Sequence, residues 1–402
     1  WTLCKPVWNE RPESFSLRES STETVAASGI HSRNTPSCLK KRMIEMHGKK
    51  RVAVLFGGCS PEYDVSLQSA ASVLQQIDRQ KFAVVSIGIT RQGDWFLYDG
   101  PIQAIQSDTW MDASSCTPVL FSPSRNASAL LLRTESGLQD LPVDAVFPVL
   151  HGANGEDGTV QGMFELAGIP VVGCGMLSSA LCMHKFLAHR VVEAEGIRTP
   201  RACVHGRSSS GQSLLSDASA LGYPLFVKPV KAGSSFGITR VTRAEELLPA
   251  VEHALSFDDE VIVEEAISGF EVGCAVLENG ALTLGEIDEI ELTGGFFDFT
   301  EKYTLKTSAI HVPARIPPDD RLRIKATAAR IYRALNCRGF ARVDMFYTPQ
   351  GEIVFNEVNT IPGFTEHSRY PGMMKAAGWR MREVLTAAIE FALHTDRKGG
   401  QA

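Results

Sequence analysis

Arg342-Val343-Asp344 and Asn356-Glu357-Val358-Asn359 are the two segments on which the reading of this chain turns. Each has strand alternation. Side chains two apart share a face of a strand, so Arg342 and Asp344 point one way, and so do Glu357 and Asn359. Val343, Met345 and Val358 point the other way, toward apolar packing. Four polar groups converging from two apolar-backed strands are costly unless they bind something. Carboxylate and amide oxygens are the donors Mg²⁺ takes, usually with substrate phosphates completing the shell. The plainer alternative is a buried Arg342–Asp344 ion pair beside an exposed Glu357.

Upstream, Phe226-Val227-Lys228-Pro229 ends a strand in a lysine, and Ala232-Gly233-Ser234-Ser235-Phe236-Gly237 follows as a small-residue loop. Glycines let backbone N–H groups face a phosphate, and serine hydroxyls add donors. The Walker A spacing is absent, and an ordinary hairpin turn has the same composition. Val261-Ile262-Val263-Glu264-Glu265-Ala266-Ile267 is an apolar strand whose end could offer backbone groups to an adenine edge. In His151-Gly152-Ala153-Asn154-Gly155-Glu156-Asp157-Gly158 the glycines shape a loop that leads into a helix. Glu62 stands just before another helix, where a carboxylate caps the helix or binds an ammonium group. Glu301-Lys302-Tyr303 follows Gly294-Gly295-Phe296-Phe297-Asp298-Phe299, the composition of a mobile lid or a surface hairpin. Gly173-x-Gly175 lacks the third glycine of a dinucleotide fingerprint, since Ser178 takes its place.

Around these motifs, Val52–Phe56 and Ala145–Leu150 read as buried parallel strands, with Phe82–Ile89 as a third strand. A helix is predicted from Val65 to Ile77, another from Thr159 to Leu166, and one long helix from Leu177 to Glu195. A Gly/Ser break follows near 208–213. From Pro224 the pattern becomes antiparallel: 225–229, 237–241, 261–267, 271–277 and 282–290, with a helix over 245–255. Helices near 321–336 and 383–394 flank strands 340–347 and 352–358. The fold class is therefore α/β followed by α+β, with expected boundaries at 1–48, 49–176, 177–262 and 263–396.

The chain has 402 residues, is 44% hydrophobic and carries a net charge of −6, so two or three domains fit and no basic field points to nucleic acid. Nine cysteines are scattered without C-x-x-C or a Cys/His cluster of zinc spacing, the pattern of reduced thiols in a cytoplasmic enzyme. No apolar run reaches the roughly 18 residues that span a bilayer. Residues 1–48 start with Trp1, are rich in Ser, Arg and Glu, and lack a secretory h-region. They read as disordered or as upstream sequence, with Met43 or Met46 as a natural start; a regulatory tail is the alternative.

Taken together, in this order and spacing, the segments from about Lys50 to Leu393 resemble the D-alanine–D-alanine ligase family of the ATP-grasp superfamily. The resemblance implies a pre-ATP-grasp domain that binds the first D-alanine, then two ATP-grasp subdomains around the nucleotide. It implies that Lys185 and Lys228 contact ATP phosphates, and that Gly233, Ser234 and Ser235 cover them. Glu264, Glu265, Ala266 and Ile267 match the adenine-reading hinge, and Glu271 the ribose contact. Asp344, Glu357 and Asn359 match the ligands of two Mg²⁺ ions, which Mn²⁺ can replace. Glu62 matches the carboxylate on the first substrate's ammonium, with His151 beside the substrate. Arg342 and Gly363 match the oxyanion site. Ser368 matches the group on the second carboxylate. Glu62, Ser234 and Tyr303 match a triad tying lid to base.

The implied reaction is two-step: an acyl phosphate forms from D-alanine and ATP, and a second amine displaces phosphate. Such chemistry rests on positioning and charge neutralisation. Ser368-Arg369-Tyr370-Pro371 resembles the glycopeptide-resistance branch, where housekeeping relatives carry an apolar residue at the Arg369 position. Lys302-Tyr303 disfavours D-lactate, since ester-forming ligases replace this pair and carry a His. The segment most resembles the D-alanine–D-serine ligases of vancomycin resistance, with a housekeeping D-alanine–D-alanine ligase as the alternative. Arg369 or a group near Asp288 could hydrogen-bond the serine hydroxyl. Glu366 departs from the small residue that relatives carry. The resemblance also implies a homodimer serving peptidoglycan synthesis. A different ATP-grasp ligase lacks a reason for Glu62 and Ser368 together, and a non-catalytic nucleotide sensor lacks one for the full metal-ligand set.

Overall fold

The structure, a computed structural model, describes residues 48–395 apart from 113, 126–128 and 293–307. The tail 1–47 and the lid segment with Lys302 and Tyr303 therefore lie outside the described residues.

Three sheets organise the chain. The first orders its seven strands β6-β5-β4-β3-β2-β1-β7. These strands are β1 (Lys50–Gly57), β2 (Phe82–Ile89), β3 (Trp95–Tyr98), β4 (Cys116–Phe121), β5 (Leu130–Thr134), β6 (Gly137–Leu141) and β7 (Ala145–Pro148). Only β2, β1 and β7 pair in parallel; the remaining pairs are antiparallel. The continuous apolar run Val52–Phe56 is fully buried, as a strand covered on both faces requires. Helices α1 (Tyr63–Gln76), α2 (Ile102–Gln106) and α3 (Thr159–Ala167) belong to this part of the chain. The predicted helix over 177–195 is two helices, α4 (Met176–Met183) and α5 (Lys185–Ala194). His184 stands between them with extended backbone, and its side chain accepts from Leu187 N to cap α5.

The second sheet, antiparallel throughout, runs β10-β9-β11-β8. It comprises β8 (Ala202–Gly206), β9 (Leu225–Pro229), β10 (Thr239–Val241) and β11 (Glu260–Glu265), with α6 (Gly211–Leu221) and α7 (Leu247–Leu255). The stretch expected to be a break near 208–213 begins α6 instead, because the Ser210 hydroxyl accepts from Ser213 N as an N-cap.

The third sheet runs β15-β14-β12-β16-β17, with β13 on β12. Its strands are β12 (Phe270–Asn279), β13 (Ala281–Leu284), β14 (Asp288–Leu292), β15 (Ser308–His311), β16 (Phe340–Tyr347) and β17 (Ile353–Asn359), with helices α8 (Pro318–Ala334), α9 (Arg369–Ala376) and α10 (Met381–Thr395). The single strand expected over 282–290 is two strands, β13 and β14. Cys182, Ala188 and Val192 of α4 and α5 join the core of this sheet, whereas the core of the second sheet is drawn from Cys203 to Val263.

The first and third sheets share one core. Phe56, Phe147 and Val149 pack with Ala275, Phe340, Phe364 and Tyr370 and with Leu385 and Ile389 of α10. Phe147, Phe340 and Phe364 meet with ring centroids 5.3–5.8 Å apart. This fixes the carboxyl ends of β1 and β7 against β16 and β17, and the cleft opens there.

Candidate active site

On β16 and β17, Arg342 lies opposite Asn359 and Asp344 opposite Glu357, with a bulge between Asp344 and Met345 that leaves Asn356 as the extra residue. Val343, Met345 and Val358 are buried, as the alternation predicted. Asp344 is fully buried, and Arg342 grips it through Nε (2.9 and 3.0 Å) and Nη2 (2.6 Å). The Asn359 amide donates to it at 2.9 Å, and Arg369 Nη1 stands 3.3 Å from it. The ion pair weighed as an alternative to a metal site thus exists, with the amide and Glu357 beside it. The two readings are compatible.

Glu62 occupies the N-cap position of α1 but does not cap it. Its carboxylate accepts from the Ser234 hydroxyl, so the β9–β10 loop reaches the first domain. Gly152 has φ +72°, and a Cβ there would stand 2.2 Å from Glu62 Oε2. Only glycine allows both that turn and that approach. Ser234 and Ser235 also adopt positive φ, at 49° and 60°.

His151 is buried, with Nε2 3.1 Å from the Ser69 hydroxyl. Burial pushes its pKa down to about 4, so the ring is neutral at physiological pH. Glu156, quoted in the loop motif without a role, accepts from the backbone N–H of Gly152 (2.9 Å) and of Ile361 (3.2 Å). Burial, then the Glu62 charge, raise it to about 8, so it holds its proton at neutral pH.

Lys185 opens α5, donates to Ala232 O at 2.6 Å and stands 3.9 Å from Glu357. Lys228 on β9 is buried against Glu264 on β11. Glu265 is held by Arg201 through Nε (2.8 Å) and backbone N–H (3.1 Å), and the Ala266 N–H donates to Pro224 O. Ile267 follows in the loop before β12. His189 of α5, its Nε2 2.9 Å from Asn356 O, has its pKa lowered by burial, with Glu264, Lys228 and Lys185 near enough for their charges to reach it.

Ser368 precedes α9, with Oγ 2.7 Å from the Thr365 hydroxyl. A Cβ at Gly363 would lie 2.7 Å from that same oxygen. Arg369 is buried and committed to carboxylates. It makes a bidentate pair with Asp288 (2.7 and 2.9 Å) and also bonds Glu271. Burial alone would lower its pKa, but Asp288, Asp344 and Glu271 hold it well above the ordinary value. The expected ribose contact, Glu271, and the expected substrate contact, Arg369, therefore neutralise each other here.

A cleft of about 1080 Å³ is lined by Glu62, His151, Lys185, Ser234, Arg342, Glu357, Asn359 and Ser368, with Glu156, Gly233, Gly363, Glu366 and Arg369 also at its wall. Lys228 and the Glu264–Ile267 segment lie outside that lining. Residues 292 positions apart in sequence meet across this cleft, as where the Ser72 hydroxyl donates to Phe364 O at 2.8 Å.

Comparison with known proteins accounts for this arrangement. The family pattern "D-ala D-ala ligase N-terminus" matches residues 51–174, and "D-ala D-ala ligase C-terminus" matches residues 201–390. The chain belongs to the D-alanine–D-alanine ligase family, and as a member it is an ATP-dependent ligase. A relative from Streptomyces coelicolor, described as a putative D-alanine–D-lactate ligase, is 44% identical over 85% of this chain and 97% of its own length. The VanG D-Ala:D-Ser ligase from Enterococcus faecalis is 54% identical, with a TM-score of 0.80, over 86% of this chain and 99% of that one. The D-alanine–D-alanine ligase from Coxiella burnetii is 31% identical, with a TM-score of 0.76, over 88% and 96%. The α/β and α+β architecture, with its ATP-grasp relatives, is as the sequence led one to expect. No helix of the described residues is long and apolar enough to cross a membrane.

Proposed function

We propose that this ligase joins D-alanine to D-serine, with D-alanine as a slower second substrate, to supply a D-Ala-D-X dipeptide for peptidoglycan precursors. The observation that carries the reading is the 54% identity to the D-Ala:D-Ser ligase, above the 44% to a relative named for D-lactate and the 40% to a relative named D-alanine–D-alanine ligase.

Glu62 takes the ammonium of the first D-alanine, and its bond to Ser234 couples that recognition to the phosphate-covering loop. Neutral His151 and protonated Glu156 add no net charge beside it, so Glu62 remains the local anion that attracts an ammonium. Arg342 and the Gly363 backbone N–H stabilise charge on the acyl oxygen. Lys185 and Lys228 neutralise phosphate, with Gly233, Ser234 and Ser235 over it. Glu264 to Ile267 take the adenine, and Glu271 the ribose. Ser368 receives the second carboxylate. Arg369 acts as a positioning residue that holds Asp288, Glu271 and Asp344. The resemblance assigns Lys302 and Tyr303 roles in nucleotide and substrate binding.

Asp344, Glu357 and Asn359 offer only hard oxygen donors from adjacent strands, which fits Mg²⁺ or Mn²⁺. Bound there, two such ions would neutralise the transferring phosphoryl group. We further propose a cytoplasmic homodimer with domain boundaries at 49–176, 177–262 and 263–396.

Phosphate release by the purified protein tests the reading, with ATP, Mg²⁺ and D-alanine supplied alone or with D-serine or D-lactate. Excess turnover with D-serine is expected. Turnover stimulated by D-lactate alone overturns it.

A further inference from the structure

Away from the cleft, β8 forms one edge of the second sheet, and α6 packs on it. Cys203 and His205, two apart on β8, share a face, and Asp217 of α6 meets them there. Their Sγ, imidazole nitrogen and carboxylate oxygen all lie within 4.8 Å of one another. His205 Nε2 and Asp217 Oδ2 are 3.2 Å apart. Tetrahedral Zn²⁺ with such ligands needs donor–donor separations of roughly 3.3–3.8 Å, so the His–Asp edge is already set and the thiol needs only a rotamer adjustment. The His205 ring is 5% exposed, yet Nε2 has no aligned hydrogen bond despite the nearby carboxylate. Cys203 Sγ has a single weak contact, 3.8 Å to Val263 O. A buried nitrogen aimed at a carboxylate and a thiol, without a bond of its own, is an unmet ligand.

We propose that Cys203, His205 and Asp217 bind one Zn²⁺ ion, with a fourth position open to water on the half-exposed Asp217 side. The thiolate is a soft donor and the imidazole a borderline one, and with a single carboxylate they favour Zn²⁺ over Mg²⁺, in contrast to the all-oxygen set on β16 and β17. The ion would clasp the edge strand to the helix covering it. The sequence reading found no zinc spacing because a Cys-x-His strand pair draws its third ligand from a helix 12 residues on. Without metal a thiol is mostly protonated at neutral pH. Binding therefore releases a proton from Cys203 to solvent.

The test titrates the full-length chain with Co²⁺ under saturating Mg²⁺, which fills the oxygen site, and follows thiolate-to-cobalt charge-transfer absorption. One equivalent per chain is expected, displaced by Zn²⁺ and lost in Cys203→Ser. Asp217→Asn, a half-exposed helix position that leaves the fold intact, should weaken Co²⁺ binding at least about tenfold. Absence of the band, its persistence in Cys203→Ser, or unchanged affinity in Asp217→Asn each overturns the site.

Discussion

Replacing Arg369 by Leu removes a cation that touches three carboxylates at once: Asp288, Glu271 and Asp344. At a charge separation of about 4 Å and an effective dielectric of ~20, each such attraction is worth about 4 kcal/mol before desolvation. Burying the guanidinium cancels much of that sum, and Asp344 keeps Arg342 and Asn359. The remaining loss is the one expected on stripping a buried pair of one partner, about 3–5 kcal/mol. Gly273 shows how closely the pair is seated, since a Cβ there would lie 2.5 Å from Arg369 Nη2 and 2.7 Å from Asp288 Oδ1. The assay is urea denaturation of the ligand-free protein at neutral pH, with wild type, Arg369→Leu and Arg369→Leu/Asp288→Leu compared. The double variant should regain more than half of the loss, because its buried unpaired carboxylate is gone. A loss below about 1 kcal/mol in the single variant, or no recovery in the double, refutes Arg369 as the counter-charge of this cluster.

Three further outcomes follow from the site. His151 has a folded-state pKa of about 4 against an ordinary 6.5, so its share of stability is intact above 6.5 and drains away as pH falls toward 4. His151→Gln should abolish that slope, worth about 3 kcal/mol across the window, in melting curves recorded from pH 7 to 4. Glu156 runs the other way. Its pKa is raised from 4.5 to about 8, so the folded state loses ground as pH climbs through that window. Glu156→Gln, which mimics the protonated acid, should overtake wild type in thermal stability as pH rises, and equal slopes would contradict the buried proton. Asp344→Asn keeps the shape and removes the charge between Arg342 and the proposed metal ions; kcat should fall by about 100-fold or more with ATP binding retained. Unimpaired turnover would point to metal ligation elsewhere.

How far the sequence could be read depended on the range of the forces involved. Val52–Phe56 and the 342–359 strand pair declared themselves because burial and alternation are local patterns. Glu62, Ser234 and Ser368 could be singled out by motif, but not the bond from Ser234 to Glu62 or the contact of Ser368 with Thr365. Other features needed partners from far along the chain. The raised Glu156 pKa depends on burial and on the charge of Glu62, brought to it from another loop, and the fate of Arg369 on Asp288, 81 residues away. The break at His184 escaped periodicity because apolar spacing continues through it, and the capping side chain alone ends one helix and starts the next. β8 escaped because Ala202-Cys203-Val204-His205 is short and lacks the apolar run of a central strand.

Product choice is tested most directly by competition. The purified ligase is given ATP, Mg²⁺, D-alanine, D-serine and D-lactate, the last three in equal amounts at neutral pH, and the products are weighed by mass spectrometry. D-Ala-D-Ser should dominate, with D-Ala-D-Ala as the lesser product. A pool dominated by the D-lactate ester, or by D-Ala-D-Ala without the serine product, contradicts the D-serine assignment.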